Sequence, residues 1–177
     1  KKITLFLVAM FAMNLFSFAQ SQMSGTYTVG TGGTYDYASM ADAGMAIKSA
    51  TFTGDVTLLI CTNLTETINT GIVNKSEYTL TIRPDKDENR TITYTTATDN
   101  EGPTGVFVIG GDMTKTPGST IGWASVPTKN VIVDGAAAGY TTPRLKITNE
   151  VFGTNVLLYG DVQDVIIRNC ILVGRSS

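Results

Sequence analysis

The sequence predicts an all-β protein whose chain coils on itself as a β-solenoid. Its last third carries four short apolar runs, each led in or closed by Asn, Asp or Gly. They occupy residues 130–135, 144–149, 155–160 and 164–170. The last run echoes the first, with Val165-Ile166-Ile167 repeating the pattern of Val131-Ile132-Val133. Strands that recur with turn residues between them are the sequence signature of a solenoid.

Residues 1–19 have the pattern of a secretory signal peptide. Lys1 and Lys2 form a positive start, residues 3–18 are almost entirely apolar, and Ala19 closes a small-residue cleavage site. The apolar run is shorter than the roughly 20 residues that a membrane-spanning helix needs. We therefore expect a secreted or outer-surface protein that has no membrane span after cleavage.

Residues 20–55 are predicted to form an N-terminal strand followed by a capping helix. Residues 25–30 read as the strand, and a Gly-rich turn follows it. Asp36 is the predicted N-cap of a helix over residues 37–49. Met40, Ala43 and Ile47 share one apolar face of that helix. We expect this face to cover the open first turn of the solenoid.

Residues 56–177 divide into strands that can be placed in threes, one set for each turn of the solenoid. The predicted strands are 56–60, 64–68 and 71–73; 79–83, 91–94 and 105–111; 130–135, 144–149 and 155–160; with 164–170 opening a fourth turn. Apolar and polar residues alternate within them, so Leu80 and Ile82, Val131 and Val133, and Leu145 and Ile147 are predicted to point inward. Four Asn residues at strand edges are predicted to bond the turn backbone. They are Asn130, Asn149, Asn155 and Asn169.

Composition excludes several classes of protein and site. The net charge is −2 and the 13 Lys and Arg are scattered, so the footprint of a nucleic-acid binder is missing. The chain contains no His, which removes the Ser-His-Asp and Cys-His catalytic arrangements and His-ligated zinc. Cys61 and Cys170 are predicted to lie about three turns apart, too far for a disulfide. We expect both to be small buried or half-buried residues.

Two sets of side chains are candidates for ligand binding. Asp134, Asp161 and Asp164 could supply oxygen ligands to calcium. The alternative is that Asp134 pairs with Arg168 of the next turn and that Asp161 and Asp164 bond a local turn. Three aromatic residues near loops are candidates for stacking on sugars. They are Trp123, Tyr140 and Tyr159, with Trp123 in a long excursion over residues 112–129 that is typical of a binding face.

At this level the chain resembles the right-handed parallel β-helix (pectin-lyase-like) superfamily, and most closely large secreted surface proteins of Bacteroidetes-type bacteria. The resembling segments are residues 25–43, 79–85, 130–135, 144–149 and 164–174. The resemblance implies a right-handed parallel β-helix. It also implies that such a chain continues into more turns, immunoglobulin-like modules and a C-terminal sorting domain. A chain that starts with Lys1 and stops at Ser177, directly after a strand, fits that expectation of a longer protein.

The catalytic branches of that superfamily are not matched by these residues. An Asp-His pair is expected for pectate-lyase-like enzymes, but Asp134 is followed by Gly135. A Gly-His-Gly cannot occur in a chain without His. The strand from Asp164 to Arg168 does not match the Asp-Phe-Ile-Phe-Gly of pectin-esterase-like enzymes.

The leading functional prediction is therefore a secreted or cell-surface β-helix module without catalysis in this segment. Its expected partners are polysaccharides or cell-surface glycans. One alternative is the N-terminal part of a polysaccharide lyase or glycosidase, with Lys129, Arg144 or Lys146 as a base. Another is a purely structural stalk.

Overall fold

The protein is mostly β-strand, and its three larger sheets are parallel. The structure is a computed structural model, and it describes residues 21–95, 105–112, 124–151 and 153–175. The all-β class predicted from the sequence is confirmed. The predicted signal peptide, residues 1–19, lies outside the described residues.

Fourteen strands and one helix make up the described part of the chain. The helix α1 spans Met40–Ser49. The strands are β1 (Gln22–Val29), β2 (Thr51–Ile60), β3 (Leu64–Glu66), β4 (Thr70–Ile72), β5 (Leu80–Pro84), β6 (Arg90–Tyr94), β7 (Gly105–Ile109), β8 (Gly111–Asp112), β9 (Ala124–Ser125), β10 (Thr128–Asp134), β11 (Leu145–Asn149), β12 (Thr154–Leu158), β13 (Val162–Arg168) and β14 (Cys170–Val173).

Three parallel sheets share these strands. Sheet A has the order β1-β2-β5-β10-β13, sheet B the order β3-β6-β11-β14, and sheet C the order β4-β7-β12. From β2 onward the chain runs through sheets A, B and C in turn, so that each full circuit adds one strand to each sheet. We call one such A-to-B-to-C passage a pass. The predicted sets of three strands correspond to these passes, while β8 and β9 form a separate antiparallel pair.

The register of sheet A agrees with the sequence echo. Val131 of β10 pairs with Val165 of β13 on one side and with Leu80 of β5 on the other. Leu80, Ile82, Val131 and Val133 are all buried, as the alternation predicts. In sheet B, Leu145 and Ile147 are also buried. Side chains of one type therefore stack above each other from pass to pass.

The inward side chains of the last strands are partly exposed. Ile167 stacks on Val133, and Leu172 stacks on Ile147. Their exposed fractions are 37% and 50%, against 1% and 0% for the residues beneath them. Within the described part of the chain, no strand pairs with the outer edges of β13 and β14.

The bends carry the predicted asparagines. Asn130 and Asn169 adopt left-handed backbone conformations, with φ of 56° and 52°. The Asn155 side-chain amide donates to the carbonyl oxygens of Ile147 (2.9 Å) and Val173 (2.8 Å). Asn149 bonds the backbone of its own turn through Val151 and Gly153. The predicted bonding to backbone is confirmed for Asn130, Asn149 and Asn155, whereas the Asn169 amide donates to the Asp134 carboxylate (2.9 Å).

Both cysteines are free and half-buried. Cys61 follows β2 of the first pass, and Cys170 begins β14 of the fourth. Burial raises the pKa of the Cys170 thiol to about 11. The prediction that the two do not form a disulfide is confirmed.

The start of α1 differs from the prediction. Ser39, not Asp36, is the N-cap, because its extended backbone lets its hydroxyl accept the Asp42 N–H (3.0 Å). Asp36 instead accepts hydrogen bonds from the backbone N–H (2.7 Å) and hydroxyl (2.8 Å) of Thr28 in β1. The predicted buried face is confirmed, with Met40, Ala43 and Ile47 almost fully enclosed.

α1 packs directly on the first strand of sheet C. A Cβ atom added at Gly44 would lie 2.3 Å from the carbonyl oxygen of Gly71 in β4. The helix start is held by Glu66 of β3, which is 2% exposed and accepts the Met40 N–H (2.7 Å). A buried carboxylate at a helix N-terminus satisfies free N–H groups and complements the helix dipole. The helix thus covers the first pass, as predicted.

The contact at Gly44 predicts that replacing this glycine with alanine destabilises the protein, although alanine has the higher helix propensity. Glycine to alanine in a helix interior normally adds about 1 kcal/mol of stability. In Gly44→Ala the new methyl group meets the Gly71 carbonyl, so we expect a loss of about 1–3 kcal/mol. Urea unfolding followed by circular dichroism measures this change, with Ala46→Gly as the control for propensity alone. A stabilised Gly44→Ala protein would contradict the described packing.

Glu66 predicts a specific pH dependence of stability. Burial raises the pKa of the Glu66 carboxyl. Hydrogen bonds from the Met40 and Ala41 N–H groups lower that pKa, but burial is the larger effect. The folded protein therefore holds this proton more tightly than the unfolded chain does. The stabilisation is complete below the unfolded pKa of about 4.3 and is lost as pH rises through the folded pKa.

We expect the wild type to lose free energy of unfolding relative to Glu66→Gln as pH rises over that window. Chemical denaturation of both proteins at a series of pH values measures the difference. Glu88→Gln serves as the control, because a hydrogen bond from Lys86 lowers the pKa of the exposed Glu88 and gives a small trend of opposite sign. A difference between wild type and Glu66→Gln that stays flat with pH would refute the assignment.

Candidate functional site

Two adjoining cavities lie where the chain crosses from sheet C to sheet A. The first cavity, of about 260 Å³, is enclosed by the end of α1, the start of β2 and residues 73–76. The second cavity, of about 200 Å³, lies beside it. Its lining residues are Lys75, Pro127, Thr128, Lys129, Asp161 and Gln163. Lys75 belongs to both, so the two cavities share a wall.

The second cavity is built by two neighbouring strands of sheet A. Lys129 of β10 pairs in register with Gln163 of β13, so residues 34 positions apart in sequence lie side by side. The Thr128 N–H donates to the Asp161 carbonyl oxygen (2.9 Å). The Gln163 side-chain amide donates to the Asp161 carboxylate (3.0 Å). These bonds fix the polar lining on regular backbone.

The loop from β4 to β5 closes the other side of the second cavity. Asn74 is 1% exposed, and its side-chain amide donates to the carbonyl oxygens of Tyr78 (2.9 Å) and Lys129 (2.8 Å). The Lys129 N–H in turn donates to the Asn74 carbonyl oxygen (2.9 Å). The Lys129 ammonium pairs with the Glu77 carboxylate. A buried amide therefore ties this wall to β10.

The lining of the second cavity offers both donors and acceptors. Lys75, Lys129 and the Gln163 amide can donate, and the Asp161 carboxylate can accept. The buried Thr128 hydroxyl instead donates to the Val126 carbonyl oxygen (3.4 Å). Such a mixture suits a ligand that carries several hydroxyl groups. From the sequence, Asp161 is predicted only as a calcium ligand and Lys129 only as a base, while Lys75, Thr128 and Gln163 carry no predicted role. Aligning Val131 with Val165 places Lys129 opposite Gln163. The pairing of these two residues was therefore predictable from the sequence echo.

The predicted aromatic residues are not brought together. Tyr140 is 55% exposed in the loop from β10 to β11, at the junction of sheets A and B. Tyr159 is half-buried after β12, two residues before Asp161, on the C-to-A connection that borders the second cavity. Trp123 lies outside the described residues. A role for any of the three in sugar contact stays a prediction.

Asp134 has the surface pairing that was the alternative to calcium binding. Its carboxylate accepts from Arg168 Nε (2.8 Å), from the Asn169 amide (2.9 Å) and from the Ala136 N–H (3.1 Å). Partial burial opposes ionisation, but these hydrogen bonds outweigh it and lower the pKa of Asp134. The carboxylate is therefore charged and fully engaged near neutral pH.

The other two carboxylates lie away from Asp134. Asp161 precedes β13, and Asp164 occupies a left-handed position (φ 51°) within that strand. Asp164 lies four residues from Arg168, the partner of Asp134, which is about 13 Å along a strand. The residues that the structure describes contain no group of three or more His, Cys, Asp or Glu placed to hold a metal ion.

The three basic residues of the lyase alternative lie in different surroundings. Lys129 lines the second cavity. Arg144 instead pairs with Asp87, its Nε lying 2.6 Å from the Asp87 carboxylate. Lys146 lies between the buried Leu145 and Ile147, on the outer face of sheet B. A role for any one of them as the base of a lyase or glycosidase stays a prediction.

Comparisons with known proteins give no match: no family model, no curated protein and no solved structure is similar to this chain at a significant level. Within residues 21–95, 105–112, 124–151 and 153–175, no helix is long and apolar enough to cross a membrane.

The Asp134 carboxylate is already bonded to Arg168, Asn169 and Ala136. We therefore expect that calcium does not stabilise the protein. We expect the same thermal midpoint in EDTA and in about 5 mM calcium, a concentration above the range in which extracellular calcium modules bind. Differential scanning calorimetry measures both midpoints, with magnesium as the control ion. A rise with calcium that disappears in Asp164→Asn would restore the predicted calcium site.

Proposed function

We propose that this chain is a secreted or cell-surface β-helix module that binds carbohydrate at the second cavity, with no catalysis in this segment. Export rests on the signal-peptide pattern of residues 1–19. The β-helix rests on the regular order of strands through sheets A, B and C, which adds one parallel strand to each sheet per pass. A right-handed course is the one that parallel crossover connections strongly favour.

The observation that carries the binding proposal is the polar lining of the second cavity. Side chains from two successive strands of sheet A and from the loop of residues 73–79 meet there, on backbone fixed by Asn74. Sugar hydroxyls both donate and accept hydrogen bonds, so the Asp161 carboxylate can accept from them and the Gln163 amide can donate to them. A volume of about 200 Å³ suits one small polar ring rather than a drug-sized ligand.

The position of the second cavity supports the same proposal. Pro127, part of its lining, belongs to the long excursion of residues 112–129 that contains Trp123. Insertions in repeat proteins gather on one face, which is often the binding face. The cavity therefore includes the described C-terminal end of that segment.

Glycan-array binding of Gln163→Ala tests this function. The variant removes an exposed amide without disturbing the buried stack, so we expect normal folding. Losing one neutral hydrogen bond should weaken binding to the preferred glycan about three- to ten-fold. Lys146→Ala, which removes a polar side chain from the outer face of sheet B, is the matched control and should bind as the wild type does.

Two results would contradict the proposal. One is wild-type binding both by Gln163→Ala and by the double variant that also carries Asp161→Asn. The other is an equal loss in Lys146→Ala, which would place the glycan on another face.

A further inference from the structure

We propose that the first cavity is a second binding site, for a small organic anion: a compact body with one apolar face that carries a carboxylate. This inference does not depend on carbohydrate binding in the second cavity. It rests on the floor of the first cavity, on its charge and on the way its walls are held.

The floor of the first cavity is apolar. Ile47 of α1, Phe52 of β2 and Val73 after β4 line it, and they are 2%, 7% and 2% exposed. A cavity of about 150 Å³ lined by such residues can hold benzene. The volume here, about 260 Å³, therefore leaves room for a six-membered ring with a substituent.

The rim of the first cavity is cationic. Lys48 and Lys75 are its charged lining residues, and no acidic side chain lines it. Lys48 lies in the last turn of α1, where the helix dipole offsets part of its charge. Lys75 has no acidic partner among the described residues, whereas Lys129 is paired with Glu77. Lys75 is therefore the principal group for attracting an anion.

Hydroxyl groups at the rim complete the recognition of a carboxylate. Thr51 and Ser76 line the first cavity on its two sides. A carboxylate accepts from ammonium and hydroxyl donors together, and such charge-assisted bonds are stronger than neutral ones. A neutral ligand of the same shape would gain the floor contacts but not this pairing.

The walls of the first cavity are preformed. The Ala50 N–H closes the end of α1 on the Ala46 carbonyl oxygen (3.0 Å), and Asn74 is held by its bonds to Tyr78 and Lys129. The Ser76 N–H donates to the Asn74 side-chain oxygen (3.0 Å). A cavity that keeps its shape without ligand avoids the ordering cost of binding.

Titration with four ring probes, followed by amide NMR shifts, tests the proposal and distinguishes two sources of the anion. D-glucuronate and D-glucose form one acid–neutral pair of sugars, and cyclohexanecarboxylate and cyclohexanemethanol form the other pair. We expect saturable shifts at Phe52 and Val73, with an acid binding about two- to five-fold more tightly than its neutral partner. Tighter glucuronate indicates a sugar acid, and tighter cyclohexanecarboxylate indicates a free organic acid.

Three variants locate the site. Lys75→Gln should weaken binding of the acid about two- to five-fold, and Thr51→Trp should block it by filling the opening. Lys86→Gln removes an exposed lysine of the loop from β5 to β6 and should bind normally. The proposal is overturned if no probe gives saturable shifts, if acids and neutrals bind alike, or if Lys86→Gln loses as much as Lys75→Gln.

Discussion

The in-register stacking of apolar side chains in sheet A is the constraint on which the rest of the structure depends. Leu58, Ile82, Val133 and Ile167 lie above one another through four successive strands. Because side chains alternate between the faces of a strand, a slip of one residue would turn each of these toward solvent. It would also turn their polar neighbours, such as Thr81, toward the core. The hydrophobic effect therefore selects one register and with it the spacing of every pass.

The second cavity follows from that register. Pairing Val131 with Val165 brings Lys129 beside Gln163, and the polar lining of the second cavity exists only in this alignment. The first cavity arises where α1 takes the place of a strand next to β4. A helix is about 10 Å wide and strands in a sheet are about 4.8 Å apart, so the return to β2 cannot follow the strand spacing. Closest contact at Gly44 and Gly71, and a gap beyond Ile47, are the consequence.

The sequence is most informative where a physical period repeats. Alternation placed Leu145 and Ile147 inward, and the echo of Val131 in Val165 found the register, because both follow from burial of one strand face. The start of α1 was mispredicted because Asp36 and Ser39 are both good N-caps, and a tertiary contact with Thr28 decides between them. The cavities were not foreseen, since Lys75, Thr128 and Gln163 are ordinary polar residues in their own segments. Only the folding of segments some 35 to 90 residues apart makes them neighbours, so residue type alone directed attention to Trp123 and the tyrosines instead.

Contacts between methyl groups test the central claim most directly. In a protein with labelled methyl groups, nuclear Overhauser effects should connect Val133 with both Ile82 and Ile167. These three residues are 51 and 34 positions apart in sequence and meet only through in-register parallel strands. Contacts from Ile132 to Ile82 in place of those from Val133, or no contact among the three, would contradict the described stacking and the second cavity that depends on it.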